Sequence, residues 1–537
     1  MKRILSFIFI ILVNLGFAQV GAKYLIITHD NFSGAIQPLA QWKQKKGLQT
    51  KVVKLSDIGA TPESLARIKN YIVNAYNTWN PRPEYILLVG SGNYLRADNN
   101  MYDDYYANIS GNYLMELPIG RMPCSTATQC SVMVTKTLSY EQTPYLVDTL
   151  WYKKGTGIIR EDGTPAPDTV YWNNMRYIWG FWQNFGYTRI DSFSRLANDS
   201  ARHVEAAITD GRAFVVFRGQ GVVNWWAPFA VDPSRMNNGF KLPIVVSGTC
   251  ATISLSPGPS YLGENFVRTG SVSNLKGAVA FLGTTNATSG PGIAEMRGIV
   301  TTNFFKTVFT DNIYKLGDAM KRAKFFIDSI HPAYYTSTFY REWNLLGDPE
   351  LNVYTRVPKT ISVVYDTVVP LNATNITVTV TSNGTPVANA LVCLARDTIF
   401  YQTGTTGSNG VKSFTVTLPG TGIITVTVTG QNLKPFEGTI RVRTAGVEET
   451  GNPLSADRMP HKIIPNPCHN FAEISLTNPN SQTLNPQILI YDIQGRKVDS
   501  KILRLQDSKI RVDLRDIPNG VYMVFNKNEI LGKIVKQ

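Results

Sequence analysis

Over its first two thirds the chain alternates short, continuously apolar β-type runs with segments of helical periodicity, and that alternation restricts it to few architectures. Tyr24–Thr28, Val52–Leu55 and Tyr85–Gly90 are such runs, separated by helical patterns near Gly34–Lys46 and Pro62–Trp79. A run that is apolar throughout, rather than at every second residue, is buried on both faces, as in a parallel strand covered by helices above and below. Leu117–Arg121 and a helix over Ala127–Glu141 continue the pattern. A second round supplies helices over Tyr171–Phe185, Asp199–Asp210, Met296–Phe309 and Leu316–Ser329. Its strands fall at Thr188–Ser192, Ala213–Phe217, Pro243–Ser247 and Ala278–Leu282. The fold class is α/β, read as two subdomains side by side, 19–150 and 151–356.

Beyond Thr355 helical periodicity stops. Thr/Val alternation in Ile376–Thr381, Val411–Leu418 and Ile423–Thr429 predicts a β-sandwich over 357–445. A linker rich in Gly, Glu, Pro and Ser, 446–462, leads to a last unit of short strands, 463–537, a small C-terminal β-sandwich.

The N-terminus carries Lys2 and Arg3, an apolar run Ile4–Val13, and small residues Gly16 and Ala18, which together read as a secretory signal over 1–18. No later run reaches the ~20 apolar residues needed to span a bilayer, so an exported chain without a transmembrane segment is expected. Five cysteines are an odd number for such a chain, leaving at least one thiol free or paired between chains. Cys124 and Cys130 are six apart, which places them on different faces of a helix and argues against a disulfide. Cys393 and Cys468 read as structural. No CxxC spacing occurs and the five histidines are scattered, so no transition-metal centre is expected. The net charge of +14 is spread among hydrophobic segments without a basic, aromatic-interleaved stripe, which argues against nucleic acid.

In an open α/β sheet reactive groups gather at the carboxyl ends of strands. Pro243-Ile-Val-Val-Ser-Gly-Thr-Cys250 delivers a cysteine at such an end, and Ala213-Phe-Val-Val-Phe-Arg-Gly-Gln-Gly221 delivers a glycine-flanked polar residue beside it. A cysteine attacks a carbonyl as thiolate, aided by an imidazole base and by backbone N–H groups that receive the oxyanion. Gly219 and Gly221 suit the donor role. Plain packing is the commoner fate of a strand-end cysteine, and both readings stay open on these features alone.

Several motifs, in order, carry a resemblance across residues 22–355. They are Tyr24-Leu-Ile-Ile-Thr-His-Asp with 39–47 (LAQWKQKKG), Tyr85-Ile-Leu-Leu-Val-Gly, Asp103-Asp-Tyr-Tyr-Ala with Leu117-Pro-Ile-Gly-Arg121, the Cys250 strand, Gly263-Glu-Asn-Phe and Asn344-Leu-Leu-Gly-Asp-Pro349. Together they resemble the gingipain family of cysteine peptidases. The resemblance implies two caspase-like α/β subdomains followed by an immunoglobulin-like β-sandwich, with Cys250 as nucleophile acting on a peptide or protein substrate. The family's base is the histidine of a Gly-His-Gly turn, and the matching turn here is Gly219-Gln220-Gly221, without the histidine. A carboxamide cannot take a thiol proton near neutral pH, so activity is reduced, or the chain is an inactive peptidase-fold binding or adhesion protein at the cell surface. His29 and His203 are expected to be structural rather than relocated bases. Glu116 is the nearest match to the acid that orients the family's histidine. Asp103 and Asp104 fall in a loop where the family can bind calcium, the one cofactor the resemblance admits. The last unit, from Ile463-Ile-Pro-Asn-Pro467 through Ile490-Tyr-Asp-Ile-Gln-Gly495 to the terminal Lys-Ile-Val-Lys, resembles the sorting domain of the type IX secretion system. That implies the secretion machinery as a partner, and a secreted or outer-surface location.

Overall fold

The computed structural model describes residues 19–444, apart from 62–63, 288–291, 331–335 and 398. It further describes 461–536, apart from 465–467, 477–487, 493–495, 499–500, 506–508 and 527–528. The signal segment 1–18 and all but the last two residues of the expected linker lie outside the described residues.

The apolar runs fold into strands β1 (Tyr24–Thr28), β2 (Thr50–Lys54), β3 (Tyr85–Val89), β4 (Ile119–Met122), β5 (Lys154–Ile159), β6 (Arg189–Ser194), β7 (Phe214–Arg218), β8 (Ile244–Gly248), β9 (Ala280–Thr284) and β10 (Trp343–Leu346). All ten join in one sheet, in the order β2-β1-β3-β4-β10-β9-β8-β7-β5-β6. Every pairing is parallel except that of β9 with β10. The strands of both stretches, before and after residue 150, therefore share a single sheet, joined where β10 meets β4. β5 and β10 were not anticipated from sequence; the β10 residues had entered only as part of the Asn344–Pro349 motif.

Helices cover both faces, as the continuous apolar runs require. The main ones are α1 (Gln37–Lys45), α2 (Leu65–Thr78), α3 (Ala127–Glu141), α4 (Pro165–Asn184), α5 (Ala201–Asp210), α6 (Leu262–Arg268), α7 (Ile293–Phe309) and α8 (Leu316–Ile330). Strand side chains alternate between the faces. Phe214, Val216, Ile244 and Val246 pack with Met175 and Trp182 of α4 and Val300 and Phe304 of α7. Val215, Phe217 and Val245 pack with Trp42 of α1, Met133 of α3, Val204 of α5 and Phe266 of α6.

Residues 362–443 form a four-stranded and a five-stranded sheet around Val378, Val392, Leu394, Val426 and Ile440. This sandwich is seated on the α/β region: Tyr401 donates to the Gln44 carbonyl (3.0 Å) and Gln142 to Glu437 (2.6 Å). A separate compact unit follows residue 445. Its strands, starting with His461–Ile464, form a four-stranded and a three-stranded sheet about Ile474, Ile490, Val512 and Val524.

One buried ion cluster binds the ends of several elements. The Lys43 ammonium, on α1, lies 2.8 Å from Glu141 of α3, 2.5 Å from Asp348 and 2.7 Å from Glu350. Lys46 contacts both glutamates and Lys315 contacts Glu350. Burial alone would depress the Lys43 pKa; the three carboxylates reverse this and hold it above its ordinary value. Burial likewise pushes Glu141 up, but Lys43 and Lys46 outweigh it and bring the carboxyl down to about 2. Removing one partner of a buried ion set leaves the others uncompensated, at a cost of about 3–5 kcal/mol. Lys43→Met is expected to lose that much in urea unfolding followed by tryptophan fluorescence, since all nine tryptophans lie between positions 42 and 343. A loss below about 1 kcal/mol would mean the cluster behaves as a solvated surface pair.

Candidate active site

β7 and β8 pair in register from Phe214↔Ile244 to Arg218↔Gly248, so the two chains leave the sheet side by side. From β7 comes the turn Gly219-Gln220-Gly221, and from β8 comes Thr249-Cys250. Gly219 has φ +154°, and a Cβ there would sit 2.4 Å from the Arg160 Cβ. A Cβ on Gly221 would lie 2.6 Å from the Trp225 carbonyl oxygen. Both glycines are thus required by close approach. Thr249 donates to the Gly221 carbonyl (3.3 Å) and Thr284 to the Thr249 carbonyl (2.7 Å), tying the strand ends together.

These ends open into a crevice of about 530 Å³ that contains Cys250, Gly219, Gln220 and Gly221, with Tyr171 and Trp225 among its walls. Cys250 is half-buried. Its sulfur accepts a hydrogen bond from Arg297 Nη1 at 3.0 Å. Arg297, near the start of α7, also donates to Glu342 (3.1 Å) and to the Asn286 carbonyl (3.2 Å). Burial pushes the Glu342 carboxyl up to about 7, against the pull of Arg297. Arg160 binds Asp162 at 2.8 Å and donates to the Gln220 side-chain oxygen. Arg218, the last residue of β7, lines the crevice and is fully buried. It donates to Asn174 (2.9 Å) and to the carbonyls of Gly248 and Ala294. Burial, with Arg297 nearby, pushes its pKa down to about 10.

Of the residues singled out from sequence, Cys250, Gln220, Gly219 and Gly221 share this crevice, and Glu116 does not line it. Glu116 instead accepts from the backbone N–H groups of Ile109 and Ser110 and holds that turn. The acid that reaches the crevice does so through Arg297, and it is Glu342. In the loop that the resemblance linked to calcium, protein cations face both aspartates. Asp103 is gripped by Arg121 (2.7 Å), and Asp104 meets Arg341 (3.2 Å) and Lys324 (3.6 Å). The close trio Glu141, Asp348 and Glu350 likewise surrounds lysine ammonium groups. His29 caps a helical turn by accepting from Asn31, and exposed His203 faces Asp199 at 3.0 Å; neither lines the crevice.

Cys124 precedes α3 rather than lying on it, and Cys124 and Cys130 are both buried free thiols. Arg160, Arg218, Arg297 and Glu342 were missed from sequence. Arg218 directly precedes the glycine turn, and Arg297 interrupts an apolar helix face; an arginine in either place was a usable signal.

Residues 18–354, well over half of the chain, match the family described as Peptidase family C25. The chain belongs to peptidase family C25. Lys-gingipain of Porphyromonas gingivalis is 22% identical over 81% of this chain, which spans 26% of that protein's length. Gingipain R2 of the same organism is 21% identical over 94% of this chain and 65% of its own length. The crystal structure of the Arg-specific cysteine proteinase gingipain R superimposes with a TM-score of 0.70 at 19% identity, covering 79% of this chain and 98% of that one. The C25 chain thus spans about a quarter of the Lys-gingipains and shares its α/β fold with gingipain R. Residues 462–537 match the secretion system C-terminal sorting domain, which makes the protein secreted or held on the outer cell surface. Among the described residues no helix is long and apolar enough to cross a membrane.

The pKa of Glu342 fixes a pH dependence. A carboxyl whose folded pKa lies above its ordinary 4.5 contributes stability that is complete below that value and is lost as pH rises through about 7. In Glu342→Gln the fall in unfolding free energy between pH 5 and 8 is expected to shrink by up to about 3 kcal/mol. Tryptophan-monitored urea titrations at several pH values would read this, and an unchanged slope would refute it.

Proposed function

We propose that this crevice is the acyl-transfer site of an exported cysteine peptidase acting on peptide or protein substrates, with a guanidinium in place of an imidazole beside the sulfur. The observation that carries the reading is the 3.0 Å contact of Arg297 with Cys250 Sγ, in a crevice shared with the glycine turn. Arg297 donates to the sulfur from the crevice wall and is placed to hold it facing a bound carbonyl. The thiolate attacks the substrate carbonyl carbon, and the charge that develops on oxygen is received by the Cys250 N–H and the glycine-turn backbone. Collapse to the acyl-enzyme then requires a proton for the leaving amine. Gln220 has none to give and an arginine keeps its own, so amide substrates turn over slowly, while esters with good leaving groups need no such proton. Loss of general acid–base help costs about 10²–10⁴ in rate. The sorting domain supports the type IX secretion machinery as the partner that exports the chain.

The same missing imidazole favours a second reading, a surface protein that holds a peptide in the crevice without cleaving it. Full-length protein, presented with matched aryl-ester and peptide-amide substrates, separates the two. Wild type is expected to be acylated by the ester at Cys250, and Cys250→Ala to be inert. Gln220→His should raise amide hydrolysis by about 10²–10⁴ with little change in ester acylation. Wild type that binds peptide yet is never acylated would establish the second reading instead.

A further inference from the structure

We propose that the crevice selects peptides with an acidic side chain, aspartate or glutamate, at the residue held beside Cys250. This rests on the reading of the crevice as a peptide site. The crevice is lined by Arg160, Arg218 and Arg297, and among the described residues no carboxylate lines it. The acids nearby are already engaged or turned outward. Asp162 is shared between Arg160 (2.8 Å) and Arg195 (3.3 Å), Glu342 lies behind Arg297, and Glu295 is exposed on α7.

The three guanidinium groups differ in what they have left to offer. Arg218 lies buried against the crevice, where its hydrogen bonds go to neutral oxygens and its Cζ lies 5.3 Å from the Tyr171 ring centre; among the described residues no carboxylate is within ion-pair distance. A buried guanidinium without a counter-charge makes the space above it favourable for an anion. Arg160 is the accessible member, and its fork already holds an acceptor oxygen inside the crevice, that of Gln220. A substrate carboxylate can take the same donors with a full charge, and a planar fork suits its two oxygens. A lysine or arginine side chain would instead add a fourth cation to a site with no carboxylate to receive it.

The test uses full-length Cys250→Ala and three fluorescent peptides that differ at one position, Glu, Gln or Lys, with binding read by anisotropy. The Glu peptide is expected to bind at least about tenfold more tightly than its Gln isostere, with Lys weakest. Arg160→Gln should remove most of the Glu-over-Gln preference, whereas Arg160→Lys, which keeps the charge, should retain part of it. Equal binding of Glu and Gln, preference for Lys, or no binding of any peptide overturns the inference. Glu preference in Cys250→Ala, together with a wild type that no ester acylates, would leave this inference standing and overturn the peptidase reading alone.

Discussion

The in-register parallel pairing of β7 with β8 is the constraint on which the site depends. Because Arg218 lies opposite Gly248, the next residues of both strands emerge at one level, and a glycine turn and a cysteine become neighbours although 30 positions separate Gln220 from Cys250. A slip of one residue would send Val215 and Phe217 to the face that Phe214 and Val216 occupy, exchanging two different cores. The register is therefore held by hydrophobic burial along the whole strand, and the site inherits its accuracy from the sheet. The loop after Cys250 is fixed by another device. The buried Glu264 carboxylate accepts from the N–H groups of Ser254 (2.7 Å) and Tyr261 (3.0 Å), clamping both ends of that loop to α6.

Buried charge is handled differently in the scaffold and in the crevice. Lys43, Arg121 and Arg212 are all fully buried, and each meets carboxylates. Among the described residues Lys136 meets only the carbonyls of Phe266 and Val267, and burial drives its pKa far below the ordinary value, so it can relieve its position by giving up its proton. Arg218 has no such exit, since at about 10 it remains charged at neutral pH. Its charge persists beside the crevice, and among the described residues no carboxylate pairs with it.

Most of the α/β order was legible because parallel strands buried on both faces write continuous apolar runs: β1 and α3 match their sequence reading to the residue, and most others to within a few. β10, which pairs antiparallel to β9 in an otherwise parallel sheet, was missed. At the site, Cys250 and the glycine turn were legible as strand ends. Glu116 was misread because a motif match says nothing of which way a carboxylate turns, and here two nearby N–H groups claim it. Arg297 and Glu342 were illegible for the opposite reason: 45 residues apart in sequence, they meet only in the folded chain.

The motifs that carry the family likeness belong mostly to the scaffold. Trp42 and Lys43 bind Glu141, and Tyr24 donates to Asp348 (2.7 Å), which joins the first strand to the Asn344–Pro349 segment. Arg121 grips Asp103, and Glu264 clamps the Cys250 loop. These interactions are needed whether or not a bond is ever cleaved, because each satisfies a charge that the sheet has buried. The residues that would distinguish one chemistry from another, Gln220, Arg160, Arg218 and Arg297, lie outside that network. In this chain the shared sheet therefore sets where the crevice lies, and the side chains that face it set its charge and shape.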